Sequence, residues 1–493
     1  MIAGKSFCLL LIAFAVLTTT VPTGVSARNL LTAQIRSVDD CPVHNNDVLH
    51  SVMGRVCEMC HEMFGGNTRE ECRTKSGTAA KAQNNSGTLE SNPTRASGKV
   101  VKATEGAVLT DDILDDLVKH NWYHGLMPRE EVEEMLTKNG DFVVRKTDVQ
   151  KHACLAVSVF YGDRVRHIVL KMLNGKWHIR DHGHENVGEL ITQHVDKKWD
   201  VQKDGAHLIN AIPRPDYYIL HEHVKLEQKL GSGNFGDVFK GTMKIPTGGR
   251  EAVAVKILKG VMGKAERIKF MKEASLTRKF NHTNIVQMLG VAAQQEPIMI
   301  ILEHAPNGSL NKYLQKNADL DWKTLVKFVL DGAEGMFYLS SRHVIHRDIA
   351  ARNCLLGGSN EVKISDFGLS VAVEGTQHQV KESRLKNVPI RWLSPETFQK
   401  GVFSTKSDVW SFGIMIWEIF SRCKSEPYPG KTNAEVKAMI VTDQRMKSPQ
   451  GMPVPMEDIM QCCWLEKPED RPDFQELVKK VGIVYNQKEV EFV

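Results

Sequence analysis

Beyond Leu17 the 493-residue chain has no uninterrupted apolar run long enough to cross a bilayer, so the sequence supplies no later transmembrane helix. A net charge of +5 is too small over this length to act as a field for nucleic acid, and any affinity for phosphate must be local. There is no repeat of solenoid period and no sustained heptad, which excludes a repeat array and a long coiled coil. Cysteine is sparse after the N-terminal region. Of ten, Cys8 lies in the first segment and Cys41, Cys57, Cys60 and Cys72 crowd behind it, while Cys154, Cys354, Cys423, Cys462 and Cys463 are scattered. The cluster suits an oxidising compartment and the scattered set suits buried, reduced thiols.

What is present is ordinary globular protein, 42% apolar and 25% charged, and the length argues for about three domains. Residues 1–27 read as a secretory signal: Lys5, an apolar run from Phe7 to Leu17, then Val25-Ser26-Ala27 suited to cleavage. In residues 28–75 the spacing of Cys41, Cys57, Cys60 and Cys72, with the phrase RVCEMCHEMF, resembles part of the crustacean hyperglycaemic hormone and ion-transport-peptide family. The same residues also have the form of a haem-attachment motif, Cys57-x-x-Cys60-His61, or of a zinc site. Residues 76–112 turn to Ser, Thr, Gly, Asn and Lys and are expected to be a disordered linker.

The chemistry centres on His346–Asn353, HRDIAARN. An aspartate and an asparagine five residues apart supply an orienting base, Asp348, and a metal-binding amide oxygen, Asn353, the pair that phosphoryl transfer needs. Upstream, Gly231-Ser232-Gly233-Asn234-Phe235-Gly236-Asp237-Val238 lies between two β-type runs, so its glycines let backbone amides approach phosphate in a hairpin. Alone it could be a dinucleotide fingerprint. Ala254-Val255-Lys256 then ends a strand in lysine, and an amphipathic helix carries Glu273 to pair with it, neither of which a dinucleotide fold requires. Leu302-Glu303-His304-Ala305 follows an apolar strand from Ile298 to Ile301, Asp366-Phe367-Gly368 supplies a second metal ligand, Ser394-Pro395-Glu396 is set to pair with Arg471, and Asp408 opens a buried helix.

These motifs, in order over residues 223–485, resemble the protein kinases, whose fold is bilobal with a β-rich N-lobe and a mostly helical C-lobe. The resemblance implies an ATP site from Gly231, Ser232, Gly233, Asn234, Phe235, Gly236, Val238, Ala254 and Lys256, with the backbone of Glu303 and Ala305 holding adenine and Leu302 guarding the pocket behind it. It implies catalytic roles for Asp348, Arg352, Lys256 and Glu273, and Mg²⁺ or Mn²⁺ on Asn353 and Asp366. Ala350, Arg352 and Val388-Pro389-Ile390-Arg391-Trp392 look like the tyrosine-specific pattern.

Ahead of this lies Trp122-Tyr123-His124-Gly125, a helix expected over Pro128–Lys138, the strand phrase FVVRKT, strands over Ala153–Phe160 and Val165–Met172, and a helix over Asn186–His194. Residues 119–212 resemble the α+β Src-homology 2 (SH2) fold. Arg145 points inward among Phe142, Val143 and Val144, and a buried arginine is costly without an anion, here a phosphotyrosine phosphate or else a carboxylate inside the sheet. Arg129, Thr147 and His167 fall where the family completes that pocket. Lys146 stands where the family has glutamate.

An SH2 module directly ahead of a kinase, with WYHGLMPREEVEEML and LGSGNFGDVFKG, resembles the Fes/Fer tyrosine kinases. Their N-terminal membrane-bending coiled coil is absent here, which puts membrane recruitment by that route in doubt, and with no transmembrane segment any membrane association is expected to be peripheral. Partners would be tyrosine-phosphorylated proteins and protein tyrosine substrates, not nucleic acid. ATP and phosphotyrosine imply the cytoplasm, against the signal-like start, a conflict that a fused gene model would resolve. A phosphotyrosine-binding scaffold with weak catalysis is the alternative, and a secreted peptide is the alternative for residues 1–75 alone.

Between Asp366 and Glu396 there is no tyrosine, and Gln377-His378-Gln379-Val380 stands where the Fes/Fer pattern would place one. Arg347 therefore needs another partner, with Glu374 and Glu382 as candidates. Autophosphorylation is expected at Tyr217 and Tyr218, and activity is expected to depend on docking of the SH2 module against the N-terminal lobe.

Overall fold

The computed structural model describes residues 109–149, 152–232, 236–258, 263–373, 378–383, 385 and 388–493. The signal, the cysteine-rich segment and all but the end of the linker lie outside the described residues.

The first module begins with helix α1 (Asp111–Val118), which starts in the last two residues of the stretch read as linker and runs on to the expected start of the module. Its Leu114 and Leu117 are buried in the module's core, which is what holds this segment in place. Helix α2 (Arg129–Met135) starts after Pro128, whose fixed φ suits a helix entry. It ends three residues before the expected Lys138, because Asp141 Oδ2 takes the amides of Thr137 and Lys138 out of helical bonding.

Strands β1 (Asp141–Val149), β2 (His152–Tyr161) and β3 (Arg164–Val169) form an antiparallel sheet, to which β7 (Asn210–Ala211) adds in parallel beside β1. The strand expected to run to Met172 breaks at Leu170, whose amide turns to Leu155 O. A second small sheet then follows from β4 (Lys171–Leu173), β5 (Lys176–Ile179) and β6 (His182–His184). Helix α3 (Val187–Asp196) is capped by Asn186, whose side chain accepts from Glu189 N.

Alternation along β1 decides which side each residue serves. Phe142 and Val144 enter the core with α1 and α3, whereas Val143 packs with Met127, Val132 and Leu136 around α2.

The second module opens with a five-stranded antiparallel sheet in the order β11-β12-β10-β9-β8: β8 (Val224–Ser232), β9 (Gly236–Lys244), β10 (Arg250–Leu258), β11 (Met288–Ala292) and β12 (Met299–Glu303). Helix α4 (Lys264–Thr277) covers it with Phe270, Met271 and Ala274.

The rest is mostly helical. Helices α5 (Leu310–Lys316) and α6 (Trp322–Ser341) precede short strands β13 (Val344–Ile345), β14 (Cys354–Leu356), β15 (Val362–Ile364), β16 (Val371–Ala372) and β17 (Gln379–Lys381). Helix α7 (Pro395–Lys400), strand β18 (Val402–Ser404) and helices α8 (Thr405–Phe420), α9 (Asn433–Val441), α10 (Val454–Cys463) and α11 (Phe474–Tyr485) complete it.

Every residue of α8 from Ser407 to Phe420 is buried, so this helix is the axis of the lobe. Arg471, with no exposed side-chain surface, holds both oxygens of Glu396 at 2.8 and 2.9 Å. Removing either partner would strand a buried charge, at a cost of about 3–5 kcal/mol.

The two modules touch. Leu126 N donates to Ala293 O at 2.8 Å and Tyr123 OH to Gln294 O at 3.1 Å. Arg267 of α4 pairs with Asp148 at the end of β1. Tyr218 is buried in the shared core, and Tyr217 lies beneath Arg278 at 3.9 Å, so these residues are packing elements rather than the accessible modification sites expected of them.

Candidate active site

Lys256 sits on β10 opposite Val238 of β9 and Ile300 of β12, buried between its neighbours. Gly236 is required nearby, since a Cβ there would run into Ile257 O and push β9 off β10. Lys256 Nζ donates to Glu273 Oε1 of α4 at 2.5 Å and to Asp366 Oδ1 at 3.2 Å. Burial opposes the charge on Lys256, but the two carboxylates outweigh it and raise its pKa. Asp366 is lowered in turn: burial pushes it up and Lys256 more than reverses that. Glu273 is raised by burial against the pull of Lys256.

Asp366 adopts φ +62°, a left-handed conformation held by its neighbours. Phe367 packs between Phe280 and His346, with ring centroids 5.0 and 5.2 Å away. Burial drops His346 to about 4, leaving a neutral imidazole. One nitrogen, Nε2, faces Ser365 O at 3.2 Å and the other, Nδ1, accepts from Asp348 N at 3.3 Å, which fixes the tautomer.

The turn through Arg347 is strained, with φ +71°, and Asp408 of α8 supports it by accepting from His346 N at 2.8 Å and Arg347 N at 2.9 Å. Burial pushes Asp408 up to about 7 despite those two bonds.

Asp348 is mostly buried and is raised by that burial, with Arg352 countering as its ion-pair partner. The guanidinium of Arg352 lies over Trp392 at 4.2 Å. Asn353 Nδ2 donates to Asp348 O at 2.7 Å, which leaves Oδ1 as the acceptor of that amide. Asn353 O accepts from Ser365 N and Ser365 Oγ, tying the loop to the segment that carries Asp366.

Around the nucleotide-type cleft, Gly231 and Ser232 pair with Val238 and Asp237, while Gly233, Asn234 and Phe235 lie outside the described residues. Ala254 pairs with Leu302 and Val253 with Glu303, which brings the expected adenine edge beside β10. Glu303 Oε1 accepts from Gln287 N, and Ala305 O takes Gly308 N at 3.2 Å.

Glu418 belongs to the site although no motif marks it. Its Oε2 accepts from Ala351 N at 2.9 Å and Trp392 Nε1 at 3.1 Å, bracing the catalytic loop and the segment after Pro389 together. The available signal was one carboxylate in an otherwise apolar run from Val409 to Phe420, broken only by Ser411.

In the first module, Arg145 Nε donates to Ser158 Oγ at 3.3 Å, and that hydroxyl meets His167 Nδ1 at 2.8 Å. His167 Nε2 and Arg129 Nε both reach Glu133 Oε1, at 3.2 and 2.7 Å. Arg145, His167 and Arg129 therefore stand in one connected cluster. Thr147 is two residues along β1 from Arg145, on the same face, and pairs with Cys154.

A β-sheet lobe over a helical lobe, with a lysine held by a helix glutamate above an HRD loop, defines a protein kinase, and the α+β module ahead of it is an SH2 domain. The protein tyrosine and serine/threonine kinase family matches residues 224–481, and the SH2 domain family matches residues 122–194. Tyrosine-protein kinase Fer of Mus musculus is 41% identical over 371 residues, covering 75% of this chain and 44% of that protein. The Homo sapiens protein of the same name is 42% identical with the same coverage. Fer-related kinase 1 of Caenorhabditis elegans is 39% identical over 385 residues, 76% of this chain and 96% of that protein. The chain belongs to the Fer/Fes-type tyrosine kinases, and it spans less than half the length of the two Fer proteins.

Proposed function

We propose that this chain transfers the γ-phosphate of ATP to tyrosine hydroxyls of proteins and is brought to them by phosphotyrosine binding at Arg145. The observation that carries the reading is the continuous line Glu273–Lys256–Asp366 standing beside Asp348 and Asn353, with every member intact.

Asp348 orients the acceptor hydroxyl and accepts its proton. Its burial favours the protonated form, and Arg352 keeps the carboxylate pointed and charged between turnovers. Lys256 holds the donor phosphates, and Glu273 holds Lys256. The amide orientation of Asn353 and the lowered pKa of Asp366 suit a hard divalent cation, so these two residues would hold Mg²⁺ or Mn²⁺. When bound, such an ion neutralises charge on the transferring phosphate. Ala350 in place of a lysine, and Pro389 shaping the platform before Trp392, favour the longer phenol over a serine.

In the first module a phosphate dianion would draw on Arg145, His167 and Arg129, with Thr147 completing the set. The chemistry uses cytosolic ATP, and we assign the kinase to the cytoplasm. Among the described residues no helix is long and apolar enough to cross a membrane.

The test is transfer of labelled phosphate from ATP to a tyrosine-containing polymer by the purified chain with Mg²⁺. Asp348→Asn should lower the rate by roughly 10²–10⁴ while nucleotide binding stays within error. An equal loss of ATP affinity would remove the role given to Asp348. Absence of transfer by the parent chain, with phosphopeptide binding retained, would leave the scaffold reading.

A further inference from the structure

Kinases commonly order the segment after Asp-Phe-Gly by phosphorylating it, because a phosphate gains charge-assisted bonds to the arginine beside the catalytic aspartate. This chain offers nothing to phosphorylate there on tyrosine. Its eight tyrosines are all described, none falls between Asp366 and Glu396, and none is exposed. Tyr123, Tyr218 and Tyr428 are buried, and the other five are half-buried within packed structure. An acceptor must extend into another active site, and none of these does so in the folded chain.

The arginine in question nonetheless has a partner. Arg347 Nη2 donates to Glu382 Oε1 at 3.0 Å, and its guanidinium lies over the Phe403 ring at 4.2 Å. Its side chain is only 10% exposed. The carboxylate is placed there by the backbone. Strand β17 pairs with β18 through Gln379↔Ser404, Val380↔Phe403 and Lys381↔Val402, and Glu382 N then donates to Gly401 O at 2.9 Å. Gly401 has φ +66°, and a Cβ there would run into Glu382 O, so glycine is what allows the approach. Phe403, which follows in β18, is the ring on which Arg347 rests. At the other end β16 pairs with β13, immediately before the HRD loop.

We propose that Glu382 is a positioning residue for phosphate transfer: it stands permanently where other kinases acquire a phosphate, so that the catalytic loop and the segment carrying Glu396 are held together without tyrosine phosphorylation. The proposal rests on the kinase reading above. The hold is weaker than a phosphate's, since one nitrogen of Arg347 meets one carboxylate oxygen and Arg347 Nε is buried with no hydrogen-bond partner among the described residues.

Two measurements on the full chain test it. Steady-state kinetics on a tyrosine polymer, before and after phosphatase treatment, should show parent activity unchanged within about twofold. Glu382→Gln should lower kcat by about tenfold with KM for ATP nearly unchanged, the size expected of one lost charged hydrogen bond. Amide exchange should be faster over residues 379–404 in that variant, a readout that remains available in a chain with no transfer activity and so separates failure of the clamp from failure of the kinase reading. Parent activity lost on dephosphorylation, an unchanged kcat in Glu382→Gln, or a fall in kcat without faster exchange would each overturn the proposal. If Glu382→Gln does not fold, Glu382→Asp decides: phosphatase-resistant activity above one tenth of the parent's supports the carboxylate, and a larger loss refutes it.

Discussion

Arg145 shows what a single buried charge demands. The residue is 7% exposed, and its Nε donates to the hydroxyl of Ser158 rather than to a carboxylate in the sheet. Burial, with the nearby charge of Arg129, weakens its hold on its proton, so the site gains by receiving an anion. Arg145→Lys should weaken phosphopeptide binding on the order of tenfold or more, measured by titration calorimetry, and leave activity on a small soluble substrate unchanged, since a point charge cannot replace a planar fork. Unaltered phosphopeptide affinity would count against the pocket. The phrase FVVRKT made Arg145 legible from sequence because an arginine at an inward position of an apolar strand is an anomaly. Ser158 and Glu133 were not legible. One is a hydroxyl brought opposite by strand pairing and the other is one of four glutamates on a helix, and neither residue type is unusual where it stands.

At the scale of elements, α8 carries two carboxylates, Asp408 and Glu418, into the centre of the helical lobe, where they hold the catalytic loop by its backbone amides. Burial raises Glu418 from an ordinary 4.5 to about 7. For a carboxyl raised in the folded state, the stability it contributes is complete below about 4.5 and is lost as pH climbs through about 7. Glu418→Gln is a clean probe, because both bonds fall on one oxygen and an amide oxygen can accept both. The variant and the parent should unfold at similar denaturant midpoints near pH 4.5. The variant should gain on the parent steadily up to pH 8, by a few kcal/mol at most. A constant difference across that range would show that Glu418 does not titrate there. The order and type of the elements were readable, since each motif brings its own strand or helix, and α8 announced itself by an almost unbroken apolar run. Their ends were less so: α2 stops where Asp141 captures two amides, a contact made across a turn that periodicity does not register.

At the scale of the whole molecule, the described part of the chain places the proposed phosphotyrosine pocket and the proposed active site at the two ends of one packed path. Asp148 lies three residues beyond Arg145 on β1 and pairs with Arg267, which is on α4 together with Glu273. Met127, Val132 and Val143 of the SH2 domain share a core with Phe270, Met271 and Val291 of the kinase sheet and helix. A helix whose glutamate positions Lys256 is thereby braced from behind by the SH2 domain, which gives physical content to the expectation that docking governs activity.

Gly125 is the place to break it. Its φ is +60°, and a Cβ there would collide with Ala293 O and with the backbone of Gln294, so any larger residue must part the two domains or strain the turn. Gly125 O accepts from Lys146 N at 2.7 Å, beside Arg145 on β1, but Gly125 has no side chain and takes no part in the cluster of Arg145, Ser158, His167, Arg129 and Glu133. Gly125→Val should therefore lower kcat about fivefold or more while phosphopeptide affinity changes little, the split expected when coupling rather than binding is lost. Hydrogen exchange should rise over Lys264–Thr277 in the same variant. Undiminished kcat alongside measurably parted domains would mean that α4 holds Glu273 in place by its own packing, and that the SH2 domain serves this kinase only by bringing it to its substrates.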